Sequence, residues 1–250
     1  MLIESGFIVD PSNVEDWSKI INSNTMRQRL LYANPKPVAV VRDYVIFKLS
    51  KNNEHELIAF KNNDINDKVV YYCQIKRNSS RNTLFKSSVG FSTCAVWKSL
   101  ALRNSRGLAV DIYSQYICRK LIDKCMISDM EQTPNGIRAW FGLADALLDD
   151  NWKMYICFSA PGDARMLIEA DLEQLYEQYD YVFGHTFAYA FRCCILVKNS
   201  VNVESLLNRP KETLILSYED AIELDAFKKP IPLDRLGEDL YYAESHRLYK

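Results

Sequence analysis

The sequence lacks long apolar runs, clustered metal ligands and an excess of charge of either sign. No stretch of about 18 consecutive apolar residues occurs, which is the length that a membrane-spanning helix needs. The formal net charge of −1 argues against nucleic-acid binding by charge alone. The first residues show no basic segment followed by an apolar stretch, so we expect no secretory signal peptide.

Paired cysteine motifs are also missing. The seven cysteines include no Cys-x-x-Cys pair, and the three histidines (His55, His185 and His246) are scattered. This spacing argues against a zinc site, and we predict no metal. Because the cysteine number is odd and most cysteines lie inside apolar runs, we expect free thiols that behave as small hydrophobes in a reduced, cytoplasmic protein.

The composition predicts a well-packed core. Hydrophobic residues make up 48% of the 250 residues, and there is no internal repeat or low-complexity segment. Runs rich in Val, Ile and Tyr predict strands at 37–49, 56–61 and 69–77, which should form an antiparallel meander. Later patterns predict a helix over 166–179, strands over 183–198 and 213–216, and a helix that begins with a capping box of Ser217 and Asp220.

The centre of the chain contains a strand-turn-helix pattern. A strand is predicted at 89–102, and apolar residues recur at helical spacing from Leu108 onward. The turn between them ends in Gly107, whose backbone can approach a ligand closely. Unpaired N–H groups and the helix dipole suit a phosphate there, and Arg103 and Arg106 add positive charge. The alternative is an ordinary tight turn with two solvated arginines.

A short strand at 125–129, a helix at 132–148 and a strand at 152–159 are predicted after this turn. The order resembles the core of the GNAT superfamily of acyl-CoA-dependent N-acyltransferases. In that family a Gln/Arg-x-x-Gly-x-Gly/Ala motif binds the cofactor pyrophosphate at this helix start. Here it stands as Asn104-Ser105-Arg106-Gly107-Leu108-Ala109, in which Asn104 departs from the pattern. The segment from Ser128 to Trp140 also resembles a pattern of bacteriophage-encoded GNAT-like proteins.

The resemblance implies a fold, a cofactor and a division of the chain. We expect an α+β, GNAT-like fold with a mixed, mostly antiparallel sheet flanked by helices on both faces. An N-terminal helical arm at 1–36, a GNAT-like core at 37–200 and a C-terminal extension at 201–250 should pack together. The implied cofactor is acetyl-CoA. The residues expected to bind it are Arg103, Asn104, Ser105, Arg106, Gly107, Leu108 and Ala109.

Acyl transfer to an amine benefits from a general base and from an acid for the departing thiolate. Asp129 lies near the strand end where the groove of the family opens, and is the candidate base, although it could equally cap the following helix. Many GNAT enzymes carry a Tyr acid on the second core helix. Trp140 stands at that position here, and an indole N–H is no useful acid. Ser128 and Tyr113 are the candidate replacements.

Two functions are compatible with these patterns, and a structural virion component without a ligand is a third possibility. The first is an acyl-CoA-binding N-acyltransferase that moves an acetyl group from acetyl-CoA to an unidentified amine. The alternative is a catalytically inactive GNAT-fold phage protein that acts by binding a host or virion protein. Either would act in the cytoplasm, which is the host cytoplasm for a phage-encoded chain. We expect neither a membrane nor a nucleic acid as a partner.

Overall fold

A computed structural model gives the fold as two compact units. It describes residues 24–51, 54–61, 69–77, 93–101, 107–122, 124–128, 134–160, 162–183, 189 and 191–233. Unit 1 comprises Met1–Arg77 with Val96–Leu121, and unit 2 comprises Asn78–Ala95 with Ile122–Lys250. The described part is α+β, with helices and two mostly antiparallel sheets, so the predicted fold class is confirmed at this level. The predicted division into three segments stays a prediction.

Unit 1 contains an antiparallel meander of four strands, where the sequence predicts a meander of three. Its strands are β1 (Pro37–Val41), β2 (Tyr44–Lys51), β3 (Glu54–Phe60) and β4 (Val69–Arg77), and each pairs with the next. The prediction of one strand over 37–49 is wrong, because Arg42 and Asp43 form a two-residue turn between β1 and β2. Neither residue is the Gly or Asn that marks most such turns.

Helix α1 (Asn24–Ala33) packs on one face of this meander. Its Leu30 is buried in a cluster whose other members are Phe47, Ile58, Phe60, Val69 and Tyr72. The rings of Phe47 and Phe60 meet edge to face, with centroids 5.6 Å apart. The helix ends at Asn34, which has a φ of 42° and donates its backbone N–H to the carbonyl oxygen of Leu30.

A second helical segment lies on the other face. Strand β5 (Thr93–Ala101) precedes helix α2 (Leu108–Ile112), which continues as a π-helical segment, Tyr113–Leu121. The side chain of Tyr113 hydrogen-bonds to Cys73 of β4. Because side chains alternate along a strand, Cys73 faces away from Tyr72, which belongs to the cluster under α1. The helices of unit 1 therefore cover both faces of its sheet.

The sheet of unit 2 has its strands in the order β6, β9, β7, β8, β10. These are β6 (Cys125–Ile127), β7 (Trp152–Ser159), β8 (Arg165–Ala170), β9 (Phe191–Lys198) and β10 (Thr213–Leu216). β8 and β10 run parallel, and the other neighbours in this order are antiparallel. Residues 93–95 of β5 pair in parallel with β6.

Strand β8 occupies part of the segment for which the sequence predicts a helix, 166–179, and that prediction is wrong. β8 pairs with β7 on one side and β10 on the other. Pairing on both edges satisfies its backbone groups, and this tertiary context overrides the helical spacing of its apolar residues. Helix α4 (Leu172–Glu177) begins only after Asp171, which forms a capping box with Gln174.

The remaining helices of unit 2 follow the sequence pattern more closely. Helix α3 (Pro134–Leu148) buries the predicted apolar side, and its buried residues are Ile137, Trp140, Leu143, Ala144 and Leu147. Helix α5 (Tyr179–Val182) ends just before the strand predicted over 183–198, and β9 occupies the later part of that range, from Phe191. Helix α6 (Tyr218–Glu223) begins with the predicted capping box of Ser217 and Asp220.

Candidate functional site

Gly107 begins the helical segment that the sequence marks as a phosphate site. It is the N-cap of α2 and has a φ of 78°, which is the left-handed region that glycine enters most easily. The residue is exposed, Leu108 is buried and Ala109 is partly buried. The other predicted cofactor ligands, Arg103, Asn104, Ser105 and Arg106, lie outside the described residues.

Arg42, from the turn between β1 and β2, places its guanidinium beside this glycine. A Cβ atom on Gly107 would lie 3.1 Å from Nη2 of Arg42. Nε of Arg42 forms a salt bridge with Oδ2 of Asp111, in the first turn of α2. Arg42 itself has a φ of 52°, a conformation that costs a residue with a side chain about 1–2 kcal/mol. Strain of this kind concentrates at functional sites.

The arrangement combines three features that favour an anion. The first-turn N–H groups of a helix have no intrahelical acceptor and carry partial positive charge. A glycine N-cap has no side chain with which to accept their hydrogen bonds. The guanidinium of Arg42 adds a full positive charge at the same helix start. The carboxylate of Asp111 opposes them, since it already pairs with Arg42.

Tyr113, a candidate acid, belongs to unit 1 and lies in its interior. It is 5% exposed, and its side chain, like that of Tyr71, hydrogen-bonds to the Cys73 thiol. Burial raises the pKa of Cys73 to about 12, against the smaller lowering effect of these two hydrogen bonds. The geometry therefore gives the Tyr113 hydroxyl a structural contact within unit 1.

Ser128, the other candidate acid, belongs to unit 2 and extends the pairing of β6 with β9. Its backbone N–H donates to the carbonyl oxygen of Cys194 at 2.8 Å. Its Oγ accepts from the backbone N–H of Cys194 at 2.9 Å. The hydroxyl thus replaces a backbone acceptor at the point where β6 ends. Asp129, the candidate base, lies outside the described residues.

Trp140 lies on α3 and is 7% exposed. It falls on the same helical stripe as Ile137 and Ala144, which are both buried. The indole therefore contributes to the packing of unit 2.

Arg42 is the residue near the candidate site that sequence reasoning missed. It is separated from Gly107 by 65 positions, and its neighbours predict an uninterrupted strand. Adjacent Arg and Asp side chains between two apolar runs were the available signal for a turn. No sequence pattern connects that turn with the start of α2.

Among the described residues, no group of three or more His, Cys, Asp or Glu side chains is arranged to hold a metal ion. None of the described helices is long and apolar enough to cross a membrane. In comparisons with protein-family models, curated proteins and solved structures, no match to this chain is found.

Proposed function

We propose that the chain binds an acyl-CoA, with acetyl-CoA as the ligand to test, through the helix start at Gly107. The observation that carries the proposal is the placement of the Arg42 guanidinium against a glycine N-cap in the left-handed conformation. A pyrophosphate needs close backbone approach, N–H donors and positive charge, and these three occur together here.

The order of elements supports the same proposal. Strand β5, the helical segment from Leu108, β6, α3 and β7 follow one another as the resemblance to GNAT proteins implies. The nine-residue π-helical segment, Tyr113–Leu121, adjoins the proposed site. Wider helical turns of this type are uncommon and frequently occur at functional sites.

We propose N-acyl transfer to an amine as the reaction. The protein would hold the thioester and the amine in contact, because positioning alone provides a large part of such a rate enhancement. A base and an acid would add about 10²–10⁴-fold. Asp129 remains the proposed base, with Tyr113 or Ser128 as the proposed acid.

A second candidate function is that of a binding protein without catalysis. The observation that favours it is that both candidate acids with a described position are buried and bonded within the fold.

Calorimetry with acetyl-CoA and S-acetylpantetheine tests the binding proposal. Only acetyl-CoA carries the pyrophosphate, so we expect heat from acetyl-CoA and none from S-acetylpantetheine at the same concentration. Gly107→Asp should abolish binding, because it places a carboxylate where the pyrophosphate would lie. Gly162→Asp is the matched control, since Gly162 also has a positive φ, of 82°, and should bind as the wild type does.

Two further variants test the role of the salt bridge. Arg42→Ala should weaken acetyl-CoA binding by about tenfold or more, which corresponds to the loss of one charge-assisted contact. Asp111→Asn keeps the shape but removes the charge that competes for Arg42, and should strengthen binding. The proposal is wrong if the wild-type protein gives no heat of binding at millimolar acetyl-CoA. It is also wrong if Gly107→Asp binds acetyl-CoA with unchanged affinity.

Release of free CoA from acetyl-CoA with a pooled panel of amines separates the two functions. An acyltransferase should release CoA only when amines are present. Binding of acetyl-CoA without release with any amine would support the second function.

A further inference from the structure

Four aromatic rings meet on the surface of unit 2, where helices α3, α4 and α5 adjoin. The ring of Phe141, in α3, lies at the centre. Its centroid is 5.6 Å from that of Tyr176 in α4, 6.2 Å from that of Tyr179 in α5 and 6.0 Å from that of Phe183, which follows α5. Tyr179 and Phe183 also contact each other, at 5.7 Å. We name these four residues the aromatic patch.

The aromatic patch remains accessible to solvent. Tyr176 is 72% exposed and Tyr179 is 39% exposed, and Phe141 and Phe183 are half-buried. A tyrosine that keeps most of its surface in water gains little stability from burial. Single exposed apolar residues are ordinary, but a contiguous exposed patch marks a surface for a partner. Tyrosine and phenylalanine are also enriched in protein interfaces.

The helices that carry the aromatic patch are acidic. Their charged residues are all exposed and comprise a single base, Arg138, and the acids Asp145, Glu173, Glu177 and Asp180. Glu173 lies three residues before Tyr176 on α4, and Asp145 lies four residues after Phe141 on α3. Residues at these spacings are neighbours on a helix surface. The rings therefore lie beside carboxylates, and this excess of negative charge favours a cationic partner.

The charge argues against other partners that bind exposed rings. Aromatic side chains can stack on the bases of single-stranded nucleic acid, but its phosphates would meet these carboxylates. An anionic lipid surface attracts basic segments and is disfavoured for the same reason. In a two-fold dimer the same patch would face itself, which would bring like charges together. A cationic side chain gains from both features, since ring faces attract cations and carboxylates accept their hydrogen bonds.

We propose that the aromatic patch docks an arginine-containing segment of a protein partner. A guanidinium is planar, stacks on aromatic rings and pairs with a carboxylate through two N–H donors, whereas the ammonium of lysine is compact and strongly hydrated. An arginine stacked on Tyr176 would meet Glu173 on the preceding turn of α4. The surface does not depend on acyl-CoA binding at Gly107, so it applies equally to an acyltransferase and to a binding protein without catalysis.

Fluorescence anisotropy of labelled peptides with the full chain tests this surface. The probes are peptides in which glycine alternates with arginine, lysine or glutamate, together with a labelled oligothymidylate. At low ionic strength the chain should bind the arginine peptide about threefold or more tightly than the lysine peptide, and should bind neither the glutamate peptide nor the oligothymidylate. Equal affinity for the arginine and lysine peptides would overturn the assignment to arginine. Tighter binding of the oligothymidylate would overturn the assignment to a protein.

Variants at Tyr176 locate the binding. Tyr176→Ala should weaken binding of the arginine peptide by about two- to fivefold, the value of one cation–π contact at an exposed site, and should melt within about 2 °C of the wild type. Tyr176→Phe keeps the ring and should retain the wild-type affinity. Tyr32→Ala is the matched control, because Tyr32 is 96% exposed on α1, whose charged residues are both arginines. Unchanged affinity of Tyr176→Ala, or an equal loss in Tyr32→Ala, would overturn the site.

Charge variants test the carboxylates beside the rings. Glu173→Gln should weaken binding of the arginine peptide by about twofold, and Arg138→Gln should strengthen it by a similar factor, because it removes the one positive charge of these helices. Both effects should decrease as salt is added. Unchanged affinity in both variants would overturn the proposal. Light scattering of the chain alone provides a further test, since a dimer that Tyr176→Ala converts to a monomer would mean that a second copy occupies the patch, and the proposed partner would be wrong.

Discussion

The guanidinium of Arg42 occupies the space beside Gly107 that a side chain at position 107 would enter. The separation between Nη2 and an added Cβ atom would be 3.1 Å, which is tighter than most real contacts of this type. Gly162 also has a positive φ, of 82°, but among the described residues other than its chain neighbours no atom lies within 4 Å of its added Cβ atom. Substitutions at these two glycines therefore distinguish the cost of backbone strain, which both share, from the cost of a side-chain contact, which arises only at Gly107.

Alanine at both positions should show that difference. Gly162→Ala should lower the free energy of unfolding by about 1–2 kcal/mol, the cost of a left-handed residue with a Cβ atom. Gly107→Ala should lower the free energy of unfolding by the same amount and by up to about 1 kcal/mol more, because Arg42 must move and its half-exposed salt bridge with Asp111 is disturbed. Denaturant unfolding of both variants provides the measurement. Equal losses would mean that Arg42 moves away at no cost.

The sequence predicts the local elements of this site well and its tertiary partner poorly. Gly107 and the helix that follows were predictable because glycine and helical spacing act over a few neighbouring residues. Arg42 was not, since a contact across 65 positions depends on how the meander packs against α2. The sequence also gives no signal for the π-helical segment that begins at Tyr113, because its side-chain spacing differs little from that of an α-helix.

Unit 2 shows the same limit. β7 was predicted with its observed bounds, Trp152–Ser159, because a run of apolar and aromatic residues bounded by polar ones is typical of a buried strand. In β8 the apolar residues also match helical spacing, and pairing with β7 and β10 makes the segment a strand rather than a helix.

The cysteines should all be free thiols. A thiol count on denatured protein should give seven, and the six cysteines with described side chains are buried and form no disulfide. In the native protein these six should react slowly with a chromogenic disulfide reagent, because the thiolate is the reactive form and burial raises the pKa of Cys73, Cys193 and Cys194. Fewer than seven thiols in freshly made protein would reveal a disulfide.

Stability should fall at alkaline pH. Burial raises the pKa of Cys73 to about 12 in the folded protein, well above the usual value of a thiol. Above about pH 9 the unfolded chain therefore loses this proton while the folded chain keeps it, and the free energy of unfolding decreases as pH rises. Burial also raises the pKa of Tyr155 and Tyr189, which adds to the decrease.

Urea unfolding at about pH 8 and about pH 10.5 measures this effect. Cys73→Val has similar volume and cannot ionise, so its stability should decrease less over the same interval. Identical pH dependence of Cys73→Val and wild type would show that the Cys73 thiol does not contribute.

The Ser128 hydroxyl should matter for stability. Ser128→Ala leaves the buried N–H of Cys194 without its 2.9 Å acceptor, and should cost about 1–3 kcal/mol of unfolding free energy. Ser205→Ala is the matched control, because its Oγ donates to Asn202 at an exposed position and its loss should cost less. Equal stability of the two variants would contradict a structural role for Ser128.

Variants of Trp140 test whether this residue contributes only to packing or stands at the position of a catalytic acid. It is 7% exposed, so Trp140→Ala should cost about 3–5 kcal/mol of stability, whereas Trp140→Tyr and Trp140→Phe should remain folded. If Trp140 stands where an acyltransferase would carry its acid, wild-type release of CoA should be slow, and Trp140→Tyr should leave that rate unchanged or raise it. A phenol can donate a proton to the departing thiolate and an indole cannot.

Melting temperature and CoA release with the amine panel should be measured together for wild type and these two aromatic variants. The phenylalanine variant is the control, since it matches the tyrosine in shape and lacks the hydroxyl. A gain restricted to Trp140→Tyr would assign the acid position to residue 140. Rapid turnover by the wild type, with both variants folded but inactive, would instead mean that the indole itself is required, and that Trp140 does not mark a lost acid.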